Sequence, residues 1–571
     1  MSTRTTTGGS TVLRGVGVGR SAAYGPVVLA HPAPRIPRGE PSPADPEEAK
    51  ARVARGFADV TQRMLARAQA AEEAGIQTLA DVLRATAQMA QDPSLISQVN
   101  EQIDNGTPPA HAVENVIDSF AQMFLAAGGY LAERVTDLRS VRDRVVARIL
   151  GQAEPGIPPV SEPSVVVAED LSPADTATLD LENTAAIVTR LGGPTSHTAI
   201  IAAQLGIPCV VQVEGAGSLK DGDLVAVDAA AGTVTKDPPP ELQEAVRRRA
   251  EVIAELSATR GPAQTSDGVA VQLLANIGTA DDAARAAEAG VDGVGLFRTE
   301  VLYLERQTAP TRQEQIEVYT RVLEAMGDRK VVFRTLDAGA DKPLAFATIP
   351  AEENPALGVR GFRLVRRLPE LLEEQLAALG EAGRATGRSP WVMAPMIATA
   401  AEAADFAARA RAHGIEQVGV MVEIPAAALR AREILAEVDF VSLGTNDLAQ
   451  YTMAADRLRG ELADLLDIWQ PAVLDLVATT AEAGAELGKP VGVCGESAAD
   501  PVMALALLGL GVTSLSMAAA AVPLVRYAVS HHSTDRCRSV ADAARAAGDA
   551  ASARAAASAL VDEDVRRALG I

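Results

Sequence analysis

A histidine follows a glycine turn and precedes an apolar stretch in Gly192-Gly193-Pro194-Thr195-Ser196-His197-Thr198. The residues from Thr198 to Leu205 have the pattern of a short helix, so His197 is expected at its N-terminus. Unpaired backbone N–H groups there favour an anion. A neutral imidazole in that place can attack a phosphoryl group and hold it. Taken alone, the heptapeptide is also compatible with an ordinary strand-turn-helix link. A second set of reactive residues lies in the other half of the chain, at the ends of β-like runs: Arg298, Arg334 in Phe333-Arg334-Thr335-Leu336-Asp337, Glu423, Asn446-Asp447 with Asp456-Arg457 nine residues beyond, and Cys494. Singly, each has a structural reading. Arginines at strand ends form surface ion pairs, acids such as Glu423 and Asp447 favour helix N-termini, and a cysteine in an apolar run fills a core. Together they make a chemical set. Two carboxylates suit a hard divalent cation, Mg²⁺ first, and arginines clamp phosphate oxygens bidentately. Phosphoryl transfer depends on such positioning and charge neutralisation, and Cys494 is placed to deliver a proton to a carbanion or enolate.

Eight β-like runs position this second set: Val269–Ile277, Val291–Phe297, Lys330–Leu336, Trp391–Ile397, Gln417–Ile424, Val438–Gly444, Pro490–Cys494 and Val512–Met517. Helical stretches separate them over about 250 residues, the rhythm of a closed (β/α)8 TIM barrel. A doubly wound open sheet is the alternative. In a barrel, residues just past the strands share one rim, so the arginines, acids and thiol are expected to converge. The first half is expected to be a multidomain α/β arrangement. Runs at Gly15–Gly19, Tyr24–Ala30, Ser164–Ala168, Ala185–Thr189, Pro208–Val213, Leu224–Ala229 and Gly232–Thr235 predict a compact α/β unit. A helical pattern from Glu47 to Leu150 interrupts them as an inserted bundle. The expected boundaries are 1–30 and 151–237 for the α/β unit, 31–150 for the bundle, 238–262 for a linker helix and 263–530 for the barrel. An Ala-rich extension, 531–571, is expected as a helical appendage, and residues 1–12 as disordered. Hinges are expected near 31–46, 150–160 and 236–262.

The composition narrows the function classes. The chain has 571 residues, 48% apolar and 3% aromatic, with a net charge of −22. So acidic a chain argues against nucleic acid or an anionic membrane as main partner, and suits a basic protein partner. Three cysteines, Cys209, Cys494 and Cys537, fit a reducing cytosol. No signal-like apolar core precedes the first strand, and the longest apolar run, Val502–Val512, is too short to span a bilayer. The expectation is a cytoplasmic protein. No GxxxxGK[ST] loop is present, so the donor should be a small organic phosphate.

These motifs resemble Enzyme I of the bacterial phosphotransferase system, from about Leu13 to Ser530. GGPTSHTAI around His197 is similar to the family's phosphohistidine motif, and DFVSLGTNDLAQYTMAADR, Asp439 to Arg457, to its second signature. GVGLFRTE, EENPALGVRGFR, GVMVEIPAA and GVCGES match further blocks. The resemblance implies that phosphoenolpyruvate phosphorylates His197, leaving pyruvate, and that His197 passes the group to the carrier protein HPr. It implies metal ligation by Glu423 and Asp447, substrate contacts from Arg298, Arg334, Asn446, Asp447 and Arg457, and Cys494 as proton donor to C3. It also implies an HPr-binding role for the bundle, with Met89, Asp92, Asp137 and Arg139 as candidate contacts, and a homodimer through the barrel. Thr195 and Ser196 can hold phosphoryl oxygens, and Lys342 can position substrate. Pro194 and Ala340 depart from the usual pattern. A dikinase-like relative would carry a nucleotide-binding domain, a regulatory protein a degenerate rim, and a metal-dependent lyase no His197 domain.

Overall fold

The computed structural model describes the chain except residues 1–4, 8–9, 20, 74–76, 128–133, 159, 172–174, 176–178, 181–182, 194–197, 200–201, 203–205, 260, 304–305, 307, 339–343, 345, 347–351, 458, 460–461 and 463. Two compact units divide it at Glu251/Val252.

The first unit holds a mixed sheet of nine strands. They are β1 (Thr5–Thr7), β2 (Ser10–Arg14), β3 (Val16–Val18), β4 (Ala22–Leu29), β5 (Ser164–Ala168), β6 (Thr184–Thr189), β7 (Cys209–Val211), β8 (Leu224–Asp228) and β9 (Thr233–Lys236). Their order is β1-β2-β9-β8-β4-β5-β6-β7-β3. Strand β4 joins its two halves, pairing antiparallel with β8 and parallel with β5. The valines of β5 and β6 are buried on both faces, as parallel strands require. The amino terminus corrects the expectation of disorder: Thr5–Thr7 pairs with Ser10–Val12, and β2 pairs with β9. Threonine-rich polar runs read as loops by composition, yet β-branched side chains suit an edge strand once a partner edge exists.

Between β4 and β5 the chain forms helices Pro46–Glu73, Gln77–Ala90, Pro93–Asp104, Pro109–Ala127 and Val135–Leu150. Their core includes Val53, Phe57, Val99, Ile103, Ile117 and Val145. Two expected partner contacts have structural jobs here. Asp92 caps helix Pro93–Asp104, accepting from the Ser94 and Leu95 N–H groups at 2.7 and 3.3 Å. Asp137 is buried and pairs with Arg134 at 3.1 Å. Met89 is half-buried, and Arg139 is exposed.

In the second unit, β11 (Ala270–Ile277), β12 (Gly293–Arg298), β13 (Lys330–Arg334), β14 (Trp391–Ala394), β15 (Gln417–Val422), β16 (Phe440–Leu443), β17 (Val491–Val493) and β18 (Ser514–Met517) pair in parallel. A β11–β18 pairing closes the ring, while a short β10 (Ala263–Gln264) adds antiparallel to β11. This is the closed barrel, not the open sheet. The carboxy-terminal helices Thr534–Arg545, Ala550–Ala559 and Glu563–Leu569 are no appendage. Cys537, Val540, Ala544, Ala553, Ala557, Val565 and Leu569 are buried in the same core as the barrel strands. Helix Pro501–Gly509 is apolar all round, so it needs cover on its outer side. A Cβ on Gly509 would lie 2.0 Å from the Cys537 carbonyl oxygen, so the two helices touch at the backbone.

Candidate active site at the barrel rim

The strand ends bring most of the expected set together. Arg334 closes β13 and Arg298 closes β12, with the two in register. Arg334 is buried, and its guanidinium pairs with Glu300 and, at 3.3 Å, with Asp337. Burial opposes its charge, yet Glu300, Asp337 and Glu423 hold it protonated more firmly than an ordinary arginine. Arg298 is exposed at the rim, which leaves its guanidinium open to solvent.

Glu423 follows β15 and is fully buried. Its Oε1 accepts the Met396 N–H at 2.6 Å, while Oε2 has no hydrogen-bond partner among the described residues. Met396 has φ +61°, unusual for a residue with a side chain, so the backbone is bent to aim that N–H at the carboxylate. Burial and the charges of Asp447 and Asp337 push the Glu423 carboxyl up to about 8. Gly444 stands beside it, and a Cβ there would sit 2.7 Å from Oε2. Asp447 lies in the first turn of helix Thr445–Met453, where the dipole favours an acid. It meets Arg360 at 3.2 Å and Arg457 at 3.5 Å. Asn446 precedes it and is half-buried.

Cys494 follows β17 with its sulfur 3.6 Å from the Leu443 carbonyl oxygen. Burial pushes the thiol up to about 11, against a hydrogen bond with Ser442, so it is neutral and carries a proton at pH 7. A Cβ on the adjoining Gly495 would meet Thr445 Oγ1 at 1.9 Å, so β16 and β17 approach closely just where Asp447 and Cys494 are carried.

Sequence reasoning missed Arg360, Asp337 and Glu300 as working residues. Arg360 is among the largest fully buried side chains. It donates to Asp337 from Nε at 3.3 Å and from Nη2 at 2.9 and 3.1 Å, and from Nη1 to Asp447. One guanidinium thus bridges the ends of β13 and β16. The available signal was the glycine at each side in Gly358-Val359-Arg360-Gly361. Gly361 has φ +56° and no room for a Cβ, which would lie 2.8 Å from Met396 Cγ. His197, Thr195, Ser196 and Pro194 lie outside the described residues, as do Lys342 and Ala340. Beside the histidine, Gly192 has φ +80°, and Thr198 is buried with its hydroxyl 3.3 Å from the Leu171 carbonyl oxygen.

The rim is suited to a doubly or triply charged anion plus a small hard cation. Among the described residues no group of three or more His, Cys, Asp or Glu side chains is arranged to hold an ion. Two carboxylates stand at the rim, Glu423 with a buried oxygen that has no partner among the described residues and Asp447. Mg²⁺ takes one or two carboxylates and fills its remaining positions with water and substrate oxygens, so the donor set matches.

Three family models match the chain: "PEP-utilising enzyme, N-terminal" over 14–134, "PEP-utilising enzyme, mobile domain" over 160–232, and "PEP-utilising enzyme, PEP-binding domain" over 254–534. The phosphoenolpyruvate-protein phosphotransferase of Streptomyces coelicolor is 48% identical over 560 residues, covering 96% of this chain and 99% of the relative. That of Haloferax volcanii is 41% identical, covering 83% and 86%, and that of Bacillus subtilis 38%, covering 81% and 84%. With the closed barrel and its rim of buried acids and arginines, this likeness over nearly the whole chain places it in the phosphoenolpyruvate–protein phosphotransferase family, Enzyme I.

Proposed function

We propose that the chain moves the phosphoryl group of phosphoenolpyruvate to His197, releasing pyruvate, and then to the histidine of HPr. This is the first step of the sugar phosphotransferase system, carried out by a cytoplasmic homodimer joined through the barrel. The helical bundle at 31–150 binds HPr, and the α/β unit at 1–30 and 151–237 carries His197. The observation that supports this best is the rim itself: a buried carboxylate oxygen on Glu423 without a partner, beside Asp447 and the Arg334 and Arg360 guanidiniums.

Arg298, Arg334 and Arg457 bind the phosphate and carboxylate of phosphoenolpyruvate, and Asn446 adds a side-chain amide. Glu423 and Asp447 would hold Mg²⁺, which when bound would supply positive charge to offset the charge that phosphoryl transfer develops. An imidazole nitrogen of His197 attacks phosphorus, and the bond to the enol oxygen breaks. Cys494 then gives its thiol proton to C3, and the enolate becomes pyruvate. That tautomerisation makes phosphoenolpyruvate so strong a donor. Arg360 and Asp337 touch no substrate in this scheme and hold Asp447 and Arg334 in place.

The test is transfer of labelled phosphate from phosphoenolpyruvate, with Mg²⁺, to the wild-type chain and to His197→Ala. Acid-labile, base-stable label is expected on wild type alone, chased onto added HPr. Equal label on His197→Ala, or a label that HPr does not remove, overturns the reading.

A further inference from the structure

The interior of the barrel below the rim is unevenly filled. TIM-barrel interiors are packed with bulky branched side chains. Here Leu296, Val332, Met393, Met421 and Phe440 fill part of it in that manner. The rest mixes apolar side chains such as Leu274 with small and polar ones. A cavity of about 10 Å³, room for about one water, is lined in part by Gly295, Lys330, Ser442, Gly492, Ser514 and Ser516. The glycines make space for the hydroxyls: a Cβ on Gly295 would fall 2.5 Å from Ser516 Oγ, and one on Gly492 2.6 Å from Ser514 Oγ.

Both ends of this polar strip carry a group that can hold a proton. At the top, Ser442 lines the cavity and directly precedes Leu443, whose carbonyl oxygen is 3.6 Å from the Cys494 sulfur. Ser516 Oγ donates to Asn276 Oδ1 at 2.6 Å, and Asn276 Nδ2 donates to the Cys494 carbonyl oxygen at 3.1 Å. At the bottom, Lys330 opens β13, four residues before Arg334 and so roughly 13 Å below the rim. Its ammonium lies 3.8 Å from the centre of the Trp391 ring and 5.4 Å from that of Phe440. Burial lowers its pKa to about 8, so it can release a proton near neutral pH.

We propose that this strip is a proton path that recharges Cys494 from the face of the barrel opposite the rim, with Ser442 and Lys330 as its positioning residues. It rests on the reading of Cys494 as the donor to C3. When the S–H bond breaks and the C3–H bond forms, a thiolate is left under a rim covered by product. The thiolate takes the Ser442 hydroxyl proton, Ser442 takes one from water in the cavity, and that water takes one from the Lys330 ammonium. Half-buried Lys330 is reprotonated by solvent at the lower opening. No electron is transferred, and every proton gained at C3 is one lost by solvent below.

The experiment runs the full chain with Mg²⁺, phosphoenolpyruvate and pyruvate in D₂O and measures deuterium in the pyruvate methyl group at low conversion. Recharging while product is bound puts two or three deuterons into one molecule per visit. Wild type is expected to give multiply deuterated pyruvate from the start. Ser442→Ala, and Lys330→Arg (which keeps a cation over Trp391 but cannot release its proton), should cut the multiply to singly deuterated ratio on the order of tenfold. Singly deuterated product alone from wild type, or an unchanged ratio in both variants, overturns the proton path. Cys494→Ala separates the two ideas: if it incorporates deuterium as wild type does, the donor reading itself fails.

Discussion

Replacing Arg360 with methionine removes the cation between Asp337 and Asp447 while leaving a side chain of similar length. The arginine is 1% exposed, and Asp337 is also 1% exposed, so water cannot take over its role. Three bonds to Asp337 and one to Asp447 are lost at once. Breaking a buried ion pair from one side costs about 3–5 kcal/mol, because the other charge stays buried and unpaired. In a unit that runs from Val252 to Ile571 that lowers the melting midpoint by roughly 4–8 °C. The chain has two tryptophans, and both, Trp391 and Trp469, lie in the barrel unit, so intrinsic fluorescence follows barrel unfolding alone. Thermal melts give the midpoint, and urea unfolding of wild type, Arg360→Met, Asp337→Asn and the double variant gives a full cycle. The double variant should recover part of the loss, with a coupling of at least about 2 kcal/mol. A midpoint for Arg360→Met within about 2 °C of wild type would refute the view that this guanidinium braces the rim.

Other consequences follow from the same geometry. The folded Glu423 carboxyl sits at about 8 against an ordinary 4.5, so between those values the folded barrel holds a proton that the unfolded chain has lost. This contribution is present below the lower value and is lost as pH rises through that window. In chelator, wild type should lose more stability than Glu423→Gln between pH 5 and 8, read by urea midpoint; parallel profiles contradict it. Gly444→Ala puts a methyl 2.7 Å from Glu423 Oε2 and 2.8 Å from Met421 Cε, and should cost about 1–3 kcal/mol while weakening phosphoenolpyruvate binding. Calorimetric titration showing wild-type affinity would count against the cradle. Truncation after Ser533 strips the cover from Leu505 and Val540's neighbours in the barrel core, so the shortened chain should aggregate or unfold at lower urea. A soluble truncated chain with an unchanged midpoint would return the tail to an appendage.

Much of the fold was legible because strand period and turn chemistry are local. The barrel strands sit where apolar β-branched runs predicted them, and Arg298, Arg334, Glu423, Asp447 and Cys494 fall at or just past the strand ends. The tail misled for a physical reason. Alanine carries little hydrophobic signal, yet close helix packing, which Gly509 permits at Cys537, leaves Ala544, Ala553 and Ala557 fully buried. The threonine-rich amino terminus misled in the same direction, since β2 forms where β9 offers an edge and β1 where β2 does.

The sequence by itself determined which residue types stand at the end of each strand, because each apolar β-branched run and the turn that follows it are local. What it could not determine was how those ends share charge. The Arg360 bridge spans 23 residues to Asp337 and 87 to Asp447. Only ring closure brings these positions together. The desolvation that raises Glu423, and the carboxylates that keep buried Arg334 charged against it, belong to the closed barrel and to no segment of it.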